Sequence, residues 1–191
     1  ANSLYDSGLE VSIFSMSKYE QLQFNQGIMI ESFKIPESIK WKPDGNLLKS
    51  LYLFALPKLK KIIKQKSPVI LHAHSASSYG LLGALSSYKP FLISVWGNDV
   101  YNFPRKSDLL RKILEFNLSR ADKIFSTSNN MAKETRKYSK VDVEVINFGV
   151  DTNIFKPTLE KVYFSQDDIV IGTIKSLEPK YGIFDLVDAF N

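Results

Sequence analysis

Short apolar runs rich in β-branched and aromatic residues alternate along the chain with longer stretches of helical period, the pattern of a parallel α/β sheet. The runs predict strands at 9–15, 28–33, 69–72, 91–95, 123–127, 143–146 and 169–174. Between them the spacing predicts helices at 46–66, 79–87, 107–120 and 129–139. Ser107 and Ser128 stand where the last two helices need an N-cap. In the first helix Leu48, Leu51, Tyr52, Ala55, Leu59, Ile62 and Ile63 fall at helical spacing, with Lys49, Lys58, Lys60, Lys61, Lys64 and Lys66 around them. Such a helix covers a sheet with one face wet, or rests its basic face on anionic lipid. Pro57 is expected to kink or interrupt it.

The α/β rhythm breaks at NFGVDTNIFKP, where Gly149, Asp151, Asn153 and Pro157 give the composition of a linker. The reading divides the chain into a Rossmann-like unit over 1–150, a linker over 151–166, and the first strand and helix of a further unit over 167–191. At the front, ANSLYDSGLEV reads as the last turn of a helix closed by Gly8 and followed by a strand. A helix there calls for an earlier strand, and a strand with one helix cannot bury its own apolar faces. Truncation is therefore expected at both ends.

Composition narrows the function classes. The 191 residues are 44% hydrophobic and 24% charged, a globular balance. No apolar run approaches the roughly 20 residues of a membrane span, and no export signal precedes the first strand, so a cytoplasmic protein is expected. With no cysteine there is no thiol nucleophile and no cysteine metal site, and only His72 and His74 supply imidazole. The net charge of +5 and pI near 9.2 suit acidic partners such as phosphates or a lipid surface, or simply a lysine-rich surface. The lysines are scattered and no nucleic-acid-binding motif accompanies them, which argues against a nucleic-acid partner.

Candidate chemistry collects where strands end. VILHAHSASSYGLLGAL and KPFLISVWGNDVYNFP each run from an apolar strand into a polar, glycine-containing loop, and open α/β sheets bind ligands beyond the carboxyl ends of their strands. His74 is expected just past one strand, and Trp96, Gly97, Asn98 and Asp99 just past the next. An imidazole and a carboxylate thus meet at one sheet edge. Each residue also has a plainer reading: a hydrogen-bonded core histidine (His72 above all), a packed Trp96, a turn at Gly97, a capping Asp99. A His-x-His pair with no third ligand makes a metal site unexpected. In GTIKSLEPKYGIFDL, Lys175 and Lys180 flank a helix start, a plausible diphosphate cradle or two solvated lysines.

In order, LHAHSASSYGLLGAL, KPFLISVWGNDVY, SRADKIFSTSNNMAKE, VEVINFGVDTNIFKP and IGTIKSLEPKYGIFDLVDAF resemble glycosyltransferase family 4, retaining enzymes of the GT-B architecture. The resemblance covers most of the chain from about residue 69 onward and only GLEVSIFS before it. It implies two Rossmann-like domains with helices on both sheet faces, the first binding the acceptor and the second a nucleotide-sugar donor. It also implies transfer with retention to a hydroxyl of a polysaccharide or lipid-linked glycan, with no metal and no cofactor. By the same resemblance Asp99 would orient or deprotonate the acceptor hydroxyl beside His74. Trp96, Gly97 and Asn98 would bind the acceptor, and Lys175 and Lys180 the donor diphosphate. The chain departs from the family in carrying Trp96 where many members have histidine before the Gly-x-Asp glycine. Its basic pair is two lysines rather than a closely spaced arginine and lysine. The glycine-rich loop after the family's first strand and its later acidic donor motif are missing, so this fragment alone is expected to be inactive. Contact with the inner face of the membrane is a further expectation. The competing class is a non-catalytic, flavodoxin-like binding or regulatory module. A sugar-nucleotide epimerase or dehydrogenase lacks its early Gly-x-Gly-x-x-Gly turn here.

Overall fold

A computed structural model describes residues 1–16, 24–40, 42, 46–157, 164–165 and 167–190, the side chains of Lys40, Leu47 and Lys180 excepted. The chain divides into two units, Ala1–Phe148 and Gly149–Asn191.

The first unit is α/β, with parallel sheets flanked by helices. Helix α1 (Asn2–Asp6) leads into β1 (Ser12–Ser15), which pairs in parallel with β2 (Met29–Ser32), Ser12 opposite Met29. The helix ends as the sequence predicts. Gly8, at φ +85°, donates its N–H to Tyr5, and Leu9 donates to Leu4, closing the last turn in a Schellman motif. After α2 (Glu37–Lys40), a 3-10 stretch (Leu47–Ala55) runs into α3 (Leu56–Lys66). Then come β3 (Leu71–His74), α4 (Ser78–Ser86), β4 (Phe91–Ser94), α5 (Asn98–Tyr101), α6 (Asp108–Arg120), β5 (Lys123–Ser126), α7 (Asn129–Thr135) and β6 (Val143–Val145). Strands β3 to β6 form one parallel sheet in chain order, each step crossing over through helix, as parallel neighbours require.

The predicted caps are present. The Ser107 hydroxyl accepts from the Leu110 N–H at the start of α6, and that of Ser128 from Met131 at the start of α7. Alternation along β4 buries Phe91 and Ile93, which join Ile124, Val143, Leu114 and Leu118 in the main core. A second core gathers Met16, Ile35, Ile39, Tyr52, Ala55, Leu59 and Leu82 beneath the β1-β2 pair. Helix α4 serves both: Ala84 belongs to the first core, Leu82 to the second, and Tyr79 packs on each. Its close approach to β4 depends on Gly83, where a Cβ would run into the Phe91 ring. Phe91 is only 1% exposed and has no room to retreat. Gly83→Ala is therefore expected to destabilise the fold by about 1–3 kcal/mol, the usual cost of overpacking, measured as a lower urea midpoint at unchanged slope.

Four expectations are corrected. The strand placed at 69–72 runs over Leu71–His74, because the hydrogen bonds come from β4: Leu71 N–H meets the Pro90 carbonyl and Ser75 N–H that of Ser94. His74 is thus the last strand residue rather than a loop residue, and Val69 is exposed. The helix at 46–66 is two pieces. Pro57, with no N–H to continue the ladder, sits in the first turn of α3, and the segment before it is 3-10. The helix at 129–139 stops at Thr135, its tail continuing only as tight turns through Lys137 and Tyr138. The run at 169–174 forms no strand. Among the described residues no neighbouring strand supplies its ladder bonds, and Ile169 and Ile174 are almost fully exposed.

In the second unit a 3-10 turn (Pro179–Tyr181) passes through Gly182, at φ +65°, into α8 (Ile183–Phe190). Among the described residues no helix is long and apolar enough to cross a membrane.

Candidate functional site

Two loops leave the carboxyl ends of adjacent strands, Ser75–Ser77 after β3 and Val95–Gly97 after β4. A single side chain fastens them together. Asp99, in the first turn of α5, accepts the Ala76 N–H through Oδ2 at 2.7 Å and the Trp96 N–H through Oδ1 at 3.0 Å. It is 2% exposed. Burial pushes its carboxyl above the usual carboxylate range, and the backbone N–H groups pull the other way. Both oxygens are thus engaged with the loops.

The Ser75–Ser77 loop is gripped from below as well. Asn117, fully buried on α6, donates from Nδ2 to the carbonyls of Ala76 at 2.9 Å and Ser77 at 3.1 Å. Its Oδ1 is buried with no partner among the described residues. Held this way, Ser75 keeps a φ of +119°, a strained backbone for a residue with a side chain. Gly97 has φ +102°, and a Cβ there would meet only ordinary contacts at 3.8 Å, so backbone shape rather than crowding calls for glycine.

Rings from β3, from the loop after β4 and from beyond β6 gather at this sheet edge. His72 and His74 project from the same face of β3 with ring centroids 4.4 Å apart. The His74 ring lies 5.9 Å from that of Trp96, and Trp96 lies 5.3 Å from Phe148. Hydrogen-bonded through Nε2 to the Ser94 hydroxyl at 2.8 Å, His72 also meets the edge of Phe125. Although solvent reaches both imidazoles, neighbouring groups desolvate them. Burial, and then repulsion from His74, lowers the His72 pKa to about 4, and burial lowers that of His74 below its ordinary 6.5. Both are neutral at neutral pH, so His74 can accept a proton or a hydrogen bond.

Of the residues singled out from sequence, His74, Trp96, Gly97 and Asp99 come together. Asn98 is exposed beside them, its Oδ1 accepting from Asn102 Nδ2 at 2.9 Å. In the second unit, the Lys175 ammonium lies 5.5 Å from the centre of the Tyr181 ring. The Lys180 side chain lies outside the described residues. Sequence reasoning missed Asn117 and Phe148. Asn117 was detectable as the one amide on the apolar stripe of Leu110, Leu114 and Leu118. Phe148 sat unmarked within the linker-like run.

A parallel sheet flanked by helices, its strands running in chain order, is a Rossmann-like unit. The chain belongs to the glycosyl transferase 4-like family, whose model matches residues 1–128. A relative from Bacillus subtilis (strain 168), described as the teichuronic acid biosynthesis glycosyltransferase TuaC, is 24% identical over 167 residues. The match covers 81% of this chain and 41% of the relative, so the chain spans about two fifths of that protein's length. Sugar transfer is the general chemistry these likenesses support.

Proposed function

We propose that the chain is the acceptor-side part of a retaining, GT-B glycosyltransferase that moves a sugar from a nucleotide-sugar to a hydroxyl of a polysaccharide or lipid-linked glycan. The observation that carries this reading is the pairing of neutral His74, at the end of β3, with exposed Trp96, on a loop that Asp99 fastens. The indole offers a face for the acceptor sugar, and the imidazole accepts the hydrogen of its attacking hydroxyl. As the bond from the anomeric carbon to the diphosphate breaks, the acceptor oxygen bonds that carbon and its proton passes to the imidazole. Asp99 acts on the acceptor through the loops it holds, as a positioning residue. Gly97 and Asn98 shape the acceptor side.

The second unit supplies the opening of the donor domain, in which Lys175 and Lys180 neutralise the departing nucleoside diphosphate. Neither metal nor cofactor is called for. The basic surface of α3, with Lys60, Lys61 and Lys64, suits a cytoplasmic enzyme working at the inner membrane face. The relative's name associates that protein with teichuronic acid, and only polymer synthesis in general is carried over to this chain.

The test is transfer by the natural full-length product from labelled UDP- and GDP-hexoses to glycan acceptors, with the product's anomeric configuration read by NMR. Transfer with retention is expected. No transfer from any donor, or an inverted product, would overturn the reading. The 191 residues alone should transfer nothing.

A further inference from the structure

Asn117 is an unfavourable residue to keep where it stands. It is fully buried on α6, close in sequence to Leu114 and Leu118 of the main core. Both protons of its amide nitrogen are committed, one to the Ala76 carbonyl at 2.9 Å and one to that of Ser77 at 3.1 Å. Its Oδ1 is buried with no partner among the described residues. A half-satisfied buried amide stabilises a core less than an apolar side chain does.

An apolar side chain at this position would leave the loop little poorer. The Ser77 carbonyl already accepts the Leu81 N–H at 3.0 Å, so among the described residues only the Ala76 carbonyl would lose its partner. One buried unpaired acceptor, Oδ1, would be exchanged for another, the Ala76 oxygen. Stability therefore hardly accounts for the amide. What it alone supplies is direction, a fixed orientation of the Ala76 peptide, and local rules of packing are broken in this way where a site has to be held.

Ala76 is where the two loops are joined. Its N–H goes to Asp99 Oδ2 at 2.7 Å, and Asp99 Oδ1 holds the Trp96 N–H at 3.0 Å. A line of hydrogen bonds thus runs from the interior of α6 through Ala76 and Asp99 to the backbone of Trp96. On the other side stands Ser75, at φ +119°, which gives its N–H to Ser94 at 3.0 Å and accepts that of Gly80 at 2.9 Å. A strained residue of this kind keeps its conformation only where its surroundings over-determine it, and the grip on Ala76 is part of that restraint. A turn of the Ala76 peptide therefore reaches His74 through one residue and Trp96 through one carboxylate.

We infer that Asn117 is a positioning residue for the candidate site: through the Ala76 carbonyl it sets the Trp96 loop against His74, and it touches no substrate. This rests on the sugar-transfer reading and adds to it a group buried outside the reacting surface. An imidazole displaced by a fraction of an ångström loses much of its effect, so the penalty falls on kcat rather than on donor binding.

The experiment compares Asn117→Ala with Leu59→Ala, a cavity in the second core, at a temperature where both variants are folded. In the natural full-length product Asn117→Ala should lower kcat about tenfold with donor KM little changed, and Leu59→Ala should change neither. Added to Asp99→Asn, Asn117→Ala should lower kcat by less than the product of the two single losses, because both act through Ala76. In the 191-residue protein Asn117→Ala should move the NMR signals of Trp96 and His74. It should also raise the His74 pKa toward its ordinary 6.5, as the loosened loop admits water. Asn117→Asp, the same shape with an oxygen in place of the donor nitrogen, carries the test if the alanine variant does not fold. In the wild-type protein the Asn117 Nδ2 protons should exchange slowly with solvent. Unchanged kcat with unmoved His74 and Trp96 signals, equal losses in Leu59→Ala, or fast-exchanging Nδ2 protons would each overturn the assignment. If the full-length product transfers no sugar but the signals move, the transfer reading falls and the positioning of the two loops stands. Transfer with kcat unaffected by Asn117→Ala does the reverse.

Discussion

Replacing Asp99 with alanine is expected to lower folding stability by about 2–4 kcal/mol, although the residue looks from sequence like surface turn chemistry. The carboxylate satisfies two backbone N–H groups, of Ala76 and Trp96, that no other described partner reaches. Each such bond to a charged acceptor contributes about 1.5–3 kcal/mol, and removing the acceptor leaves a buried donor on Ala76 and a part-buried one on Trp96 unpaired. Against this stands the cost of burying the charge, seen in the raised carboxyl pKa, so the loss falls short of the full sum. In a protein of this size the change corresponds to a fall in Tm of roughly 5–15 °C. Asp99→Asn keeps one acceptor but turns an amide N–H toward the other donor, and should lie between the two. A Tm within a degree of wild type for the alanine variant would show that the clasp is not structural. The pH dependence has a definite sign. The folded pKa lies above the unfolded 3.8, so Asp99's own contribution to stability declines as pH rises through that window, and Asp99→Asn removes the decline.

If the proposed sugar transfer holds, replacing His74 with alanine lowers kcat of the natural full-length product by about a hundredfold, with a smaller change in donor KM. Among the described residues neither ring nitrogen of His74 has a hydrogen-bond partner, whereas Nε2 of His72 is committed to Ser94. Because desolvation lowers its pKa below the ordinary 6.5, the imidazole is neutral at neutral pH, the form that accepts a proton. An unchanged kcat would remove His74 from the chemistry. The chain's only two imidazoles can be titrated directly by NMR, with His72 expected near 4 and His74 below 6.5. Folded values below the unfolded 6.5 mean that the stability held at neutral pH is lost as pH falls from about 6.5 toward 4. Opposite slopes from Asp99 and the histidines overlap in that range, and single substitutions at each separate them.

Much of the fold was legible because burial leaves a periodic trace. Phe91, Ile93 and Val95 alternate inward on β4 and its continuation, and Ser107 and Ser128 announce their helices. What escaped depends on partners distant in sequence. The register of β3 follows from β4, so Val69 and Ile70, strand-like in composition, remain outside it. The 169–174 run shows the same thing in reverse: strand composition without a neighbour gives no strand. At the site, the residue types were visible and their division of labour was not. Nothing in Gly97-Asn98-Asp99 discloses that the carboxylate turns inward to Ala76, more than twenty residues back. Asn117 acts on the same loop from forty residues ahead.

The serial order of β3, β4, β5 and β6 has a consequence for how the chain comes together. Each new strand docks on the one made immediately before it, across one helical crossover, so no step waits for a segment made much later. The entropic penalty of closing a loop grows only slowly with its length, so each crossover costs little more than a shorter one would. This sheet can therefore grow strand by strand as the polypeptide leaves the ribosome. The Asp99 clasp joins the loops after β3 and β4, so it would form at the first of those steps, well before the last strand is in place.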